Sequence, residues 1–231
     1  MYETVSIEKK DRVAVLSFNR PEKLNAINLQ MKREVLQALS GFEADDDVRV
    51  VIIAGAGRAF SSGYDVNAPI SELEEFMNLS EEEKLVSLDK PTVAAIHGYA
   101  LGDGLQQALL CDMRVAADDS VLGFIGPLIG GLCFSAFSVL PQVVGRAKAN
   151  ELLFTCSRIS GEEAYRIGLV NKVVPREQVM TAAMEMAEHI ANVAPISVKY
   201  TKRMLRQDFF DADYKNRLRE ALEAISGRQH P

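Results

Sequence analysis

Tryptophan is absent from the 231-residue chain, and cysteine and histidine occur three times each. Cys111, Cys133 and Cys156 lie far apart in apolar contexts without CxxC spacing. This argues against a disulfide framework or a cysteine zinc site, and no metal is expected. Positive charge is short as well: 26 Lys and Arg face 32 Asp and Glu, a formal net charge of −6. A nucleic-acid surface needs clustered cations to neutralise phosphates, so none is expected. The local exception is KYTKRMLR (residues 199–206). On a helix its charges fall mostly on the solvated side, with anion binding as the lesser alternative. Long apolar runs are missing too. Nothing approaches the ~18 residues that span a bilayer, and MYETVSIEKKDRV at the start lacks the charged-then-apolar order of a secretory signal. A cytoplasmic protein with no membrane partner is the expectation.

What is present is apolar residue enough, 48%, to bury a full core in one large domain or one domain with an appendage. Short β-branched runs bounded by turns occur at residues 12–18 (RVAVLSF) and 49–55 (RVVIIAG), as in buried strands. Between them Leu29, Val35, Leu36, Leu39 and Phe42 recur close to a helical period. PTVAAIHG, LQQALLCD and MRVAA then repeat the order strand, buried helix, strand. Such alternation indicates an α/β core.

From residue 147 the character becomes helical. Helices are expected at 147–155, after an N-cap at Ser160 with Glu163 three residues on, at 178–193 and at 214–225, interrupted by the short strand LVNKVV. The chain thus divides into a core at 1–175 and a helical region at 176–231, which must cover the core or a neighbouring subunit. The acidic stretch SELEEFMNLSEEEK (residues 71–84) reads as a mobile, solvated helix, with a lid over a site as the alternative.

Two glycine-containing turns stand at strand ends: GAGRAFSSGYD after the second strand and GYALGDG after the third. Each leaves backbone N–H groups beside the start of the next segment, which is how a protein polarises an oxygen without a charged side chain. Neither matches GxGxxG or GxxxxGK[ST], which disfavours nucleotide-phosphate binding of those classes.

NRPEKLNAIN, GRAFSSGYDV, KPTVAAIHGYALGDGLQQALLCDMRVAA and ISGEEAYRIGLVNKVVP together resemble, in order and spacing, the crotonase superfamily of enoyl-CoA hydratases and isomerases. The resemblance runs over nearly the whole chain. It implies a spiral of ββα units followed by a C-terminal helical trimerisation region, and a homotrimer or hexamer. It further implies that Lys23, Leu24 and Ala26, with Ser62, Asp65 and Val66, hold the CoA nucleotide and pantetheine arm, largely through backbone. CoA enters as the thioester substrate, so no separate cofactor is expected. The two N–H groups of the family's oxyanion hole fall on Tyr64 and Asp103, where they would bind the thioester oxygen as it gains enolate character. Tyr64 stands where a small residue is usual and is expected to shape the acyl pocket. Asp103 stands where the family has glycine, with a structural or orienting role set against acid/base work.

Hydration in this family uses two glutamates, and the resemblance puts Gln106 at the first. An amide can orient water but cannot take a proton at neutral pH. The second falls on Gly126, and between Asp119 and Glu151 the chain has no Asp or Glu. Gly126 and Pro127 resemble members acting on ring-containing acyl-CoAs, some of which leave room at the glycine for a small anion as base; those place an Asp seven residues later, where this chain has Cys133. The remaining candidates are Asp103, Tyr64, Cys133, Ser135 and a glutamate from the acidic stretch, Glu72, Glu74 or Glu75. His97 reads as a satisfied structural histidine and Cys133 as a packing residue.

The leading expectation is therefore an acyl-CoA enzyme that stabilises a thioester enolate with a non-standard acid/base set and hydrates crotonyl-CoA weakly. The alternatives are a decarboxylase or ring hydrolase that borrows its base from the substrate or an anion, and a catalytically inactive CoA-ester binder or assembly subunit. Members of the family usually continue past the ISGRQHP at which this chain ends, with a basic helix over the CoA.

Overall fold

The computed structural model describes residues 2–129 and 131–205, so the helix expected at 214–225 lies outside the described residues. The strands are β1 (Val5–Lys10), β2 (Val13–Phe18), β3 (Val50–Gly55), β4 (Thr92–Ile96), β5 (Tyr99–Leu101), β6 (Met113–Ala117), β7 (Val121–Gly123), β8 (Ile159–Ser160) and β9 (Lys172–Val174). Between and after them run α1 (Leu29–Ala44), α2 (Leu73–Asn78), α3 (Glu81–Ser87), α4 (Asp103–Leu110), α5 (Phe134–Val144), α6 (Arg146–Thr155), α7 (Gly161–Arg166), α8 (Val179–Ala191) and α9 (Pro195–Leu205).

Six strands form the main sheet in the order β1-β2-β3-β4-β6-β9, and β5-β7-β8 form a small second one. Only β1 runs antiparallel in the main sheet. Its parallel strands are covered on both faces and so read as continuous apolar runs. Successive side chains nevertheless part company, as the pleat requires. Val13, Val15, Val50, Ile52, Val93, Ala95 and Val115 turn to α8, against Ala182, Ala183 and Ala187. Ala14, Leu16, Val51, Ile53, Ala94 and Ile96 turn to a larger core containing residues of α1, α3, α4 and α5. The expected N-cap is present: Ser160 Oγ accepts from Glu163 N at 3.1 Å.

Two expectations change. The acidic stretch is not a single helix, and it is solvated only in part: Glu74, Glu75, Asn78 and Ser80 are exposed, whereas Phe76 and Glu81 are buried. It forms a short 3-10 turn and then α2 and α3, which bury Phe76, Glu81, Leu85 and Leu88. In the basic cluster Lys202 is buried, donating to Asp112 Oδ2 at 2.7 Å and Lys90 O at 3.0 Å. Lys199 and Arg203 both pair with Asp89, so these cations pin α9 to the body of the protein. Arg206 lies outside the described residues.

Buried Arg114 of β6 gathers the end of α4, donating to Leu109 O at 3.0 Å, Cys111 O at 2.7 Å and Leu169 O at 2.6 Å. No helix among the described residues is long and apolar enough to cross a membrane.

Candidate active site

Two loops are tied together before any side chain acts. Ile27 bridges Tyr64, and Ser61 bridges Ala100. Along residues 61–65 the N–H groups of Ser61, Ser62, Gly63 and Asp65 go to Tyr99 O, Leu24 O, Ser61 Oγ and Ile27 O. The Tyr64 N–H has no partner among the described residues. Neither has that of Asp103, which opens α4 behind Gly102 with no side-chain cap. Helix first turns leave such donors unless something caps them. Gly63, at φ +95°, brings the two together: a Cβ there would lie 2.6 Å from Leu101 O and 3.3 Å from Asp103 N. The two glycine turns expected to share an oxyanion therefore do converge.

Beside this pair the side chains form one connected string. Gln106 Nε2 donates to Asp103 Oδ1 at 2.6 Å, and Gln106 Oε1 accepts from Ser135 N at 2.9 Å and Ala136 N at 3.4 Å. Backbone N–H groups can only donate, so they fix which end of the amide is oxygen. Ser135 Oγ donates to Glu82 Oε2. Burial, and then the charge of Glu82, lift the Asp103 carboxyl to about 6 against the opposing pull of Lys32 and of the Gln106 hydrogen bond. Asp103 can thus give and take a proton near neutrality.

The element carrying Glu82 is held firmly. Its neighbour Glu81, 1% exposed, pairs with buried Lys32 of α1 at 2.9 Å. Lys32 also donates to Phe76 O at 2.7 Å and lies 4.1 Å from the centre of the Phe76 ring. Burial raises the Glu81 carboxyl above its ordinary range in spite of Lys32, and Glu81 Oε2 has no hydrogen-bond partner among the described residues. Phe76 in turn meets Tyr64 edge-on, ring centres 4.9 Å apart.

Other expected site residues fall as follows. Burial first, then Asp103, Asp65 and Glu72, push the Tyr64 phenol up, so it stays neutral. Lys23, Leu24, Ala26, Ser62, Asp65 and Val66 lie along the same two loops, with Lys23 and Val66 exposed and Ser62 N bonded to Leu24 O at 2.9 Å. The Asp65 carboxylate is occupied: Arg20 Nη1 donates to it at 2.8 Å. Burial raises Asp65, but Arg20 and the Asn67 N–H outweigh that and leave it below the usual carboxylate range.

At Gly126 a Cβ would stand 3.1 Å from Cys133 Sγ and 3.5 Å from Leu132 C, so that space is filled by protein. Burial pushes the Cys133 thiol up to about 12, which rules out a resident thiolate. His97 Nε2 meets Gly57 O at 3.0 Å and burial lowers its pKa, a neutral structural histidine. Of the three glutamates expected from the acidic stretch, Glu74 and Glu75 are exposed, Glu75 pairs with Arg33, and Glu72 is half-buried. The stretch sends Glu82 to this site instead. Glu81, Leu85 and Leu88 fall on one helical face, but their spacing does not say that this face turns inward, and so does not single out Glu82.

The profile of the family described as enoyl-CoA hydratase/isomerase matches residues 8–225. The chain is 38% identical over 218 residues to a short-chain-enoyl-CoA hydratase of Clostridium acetobutylicum, covering 88% of this chain and 81% of that protein. A crystal structure of an enoyl-CoA hydratase/isomerase from Xanthobacter autotrophicus Py2 superposes with a TM-score of 0.86 at 32% identity, over 98% of this chain and 88% of that one. A monofunctional enoyl CoA isomerase from M. smegmatis superposes at 0.79 with 31% identity, over 98% and 99%.

Proposed function

The chain belongs to the enoyl-CoA hydratase/isomerase family and has its crotonase fold; from that premise we propose that it interconverts an acyl-CoA thioester with its enolate, using Asp103 to move the α-proton. The observation that supports this is the placing of the Asp103 carboxyl, raised to about 6, beside two converging N–H groups that have no partner among the described residues. The thioester oxygen sits between the N–H groups of Tyr64 and Asp103, each contributing ~3 kcal/mol as negative charge develops. Asp103 in its ionised form takes the proton from the α carbon, and in its neutral form returns one. Gln106 holds Oδ1 and steers the carboxylate, a task that an amide performs and a second acid would complicate by charge repulsion. The CoA moiety runs along Lys23, Leu24, Ala26, Ser62, Asp65 and Val66, with backbone supplying the polar contacts, and the acyl group enters beside Tyr64 rather than at Gly126, where Cys133 takes up the space.

The test is incorporation of deuterium at the α carbon of butyryl-CoA in deuterium oxide, followed by mass spectrometry. The native protein exchanges, with a rate that rises as pH passes about 6. Asp103→Asn loses ~10²–10⁴-fold. Tight butyryl-CoA binding with no exchange in the native protein would leave a CoA-ester binder and sink the reading.

A further inference from the structure

We propose that Glu82 of α3 is the second proton-transfer carboxylate of this site, and that it activates the water added to the β carbon of an enoyl thioester. The inference rests on the oxyanion and Asp103 reading above. From residue 120 to residue 150 the chain contains no Asp or Glu, so a second acid must reach the site from another part of the fold. α3 brings one. Glu82 and Asp103 are the two ends of the string Asp103–Gln106–Ser135–Glu82.

Each carboxylate is tethered by one oxygen only. Gln106 holds Asp103 Oδ1 and Ser135 Oγ holds Glu82 Oε2. Asp103 Oδ2 and Glu82 Oε1 accept no hydrogen bond among the described residues. The tethers are themselves joined, since Ser135 N bonds Gln106 Oε1 at 2.9 Å. The two open oxygens are therefore held in a fixed relation by one frame. The charge of Glu82 is felt at Asp103, second only to burial among the influences that raise it. The frame does not drift, because Glu81 is locked to Lys32 at 2.9 Å and Leu85 and Leu88 of the same segment are buried at 1% and 0% exposure.

In the forward step Glu82 Oε1 takes a proton from water while the water oxygen bonds to the β carbon. The electron pair of the C=C bond moves to the α carbon and thioester oxygen, where the Tyr64 and Asp103 N–H groups hold it. The neutral Asp103 carboxyl then gives its proton to the α carbon. Glu82 releases its proton to solvent and Asp103 takes one up, which restores the starting state. The cycle requires a neutral Asp103 beside Glu82, and the charge of Glu82 is one of the influences that raise the Asp103 carboxyl.

The experiment measures two activities of the full chain side by side: hydration of crotonyl-CoA, and α-deuterium exchange into butyryl-CoA. Glu82→Gln keeps an acceptor for Ser135 Oγ. It is expected to lose hydration ~10²–10⁴-fold and to keep exchange within a factor of a few. Glu82→Asp, which keeps the charge, retains more hydration than the amide. Asp103→Asn loses both activities. The inference is overturned if Glu82→Gln hydrates at the native rate, if the native protein adds no water, or if a folded Glu82→Gln loses both activities alike. Absence of exchange in the native protein would instead remove the Asp103 reading beneath it.

Discussion

The two faces of the main sheet are built by opposite rules. On one, α8 lays Val179, Ala182, Ala183, Ala187 and Ala191 on Val13, Val15, Val50, Ile52, Val93 and Val115 of the strands. On the other, the layer of α1, α3 and α4 with the start of α5 buries Lys32, Glu34, Glu81, Gln106, Gln107 and Ser135 among its leucines and phenylalanines. Burying polar groups is costly unless each finds a partner. Among the described residues the helices on this face of the sheet carry that cost where α8 does not, and they are the ones that carry the candidate site. The alanine face holds the sheet to a helix, whereas the polar face fixes where three carboxyls point.

Four substitutions test that contrast, beginning with the largest expected effect. Lys32→Met strips Glu81 of its cation and should cost ~3–5 kcal/mol. The loss should grow with pH, because a protonated Glu81 leaves no unpaired charge; urea melts at pH 5 and pH 8 read this directly. Ala187→Leu overfills the alanine face and should cost ~2 kcal/mol, equally at both pH values. A pH-dependent loss there would mean that the two faces do not differ in kind.

Asp103→Asn should raise stability. The carboxyl is raised from 3.8 to about 6 on folding, so the native protein loses stability as pH rises from about 4 through 6, and the neutral amide escapes this. Allowing for partial exposure, the gain is ~1–2 kcal/mol above pH 7 and vanishes below pH 4. Equal melting of the two proteins at pH 8 would contradict it. Gln106→Met removes the donor that holds Asp103 down, so the midpoint of α-proton exchange should rise by ~0.5 unit. A downward shift would show that Gln106 plays another part.

Much of this was legible in residues. β2, β3, β4 and β6 announce themselves because parallel strands covered on both faces are apolar throughout. β1 does not, since only Val5 of its six residues is buried and Glu8, Lys9 and Lys10 give it the look of a loop; its pairing with β2 is a tertiary fact. β5 and β7 are three residues each, too short to show a period. α5 carries Pro141, which reads as a break.

At the site, the turns at Tyr64 and Asp103 could be found from glycine spacing and family resemblance, and so could the neutral Gln106. Glu82 could not be picked out from six glutamates in one acidic stretch without knowing that this stretch folds inward. The solvated reading holds for Glu74 and Glu75 and fails at Phe76 and Glu81, where Phe76, Leu85 and Leu88 draw one face inward.

Arg114 touches nothing in the catalytic string, yet it bears on it. A helix carries about half a positive charge at its first turn and half a negative charge at its last. In the proposed reaction α4 points its first turn at the thioester oxygen, and its last turn is answered by a buried guanidinium on Leu109 O and Cys111 O. Eight residues span only ~12 Å, short enough for an unopposed negative pole to dull the field at the other. With that pole cancelled, α4 presents the reacting oxygen with the potential of a single-ended source, set by a residue on the strand behind it.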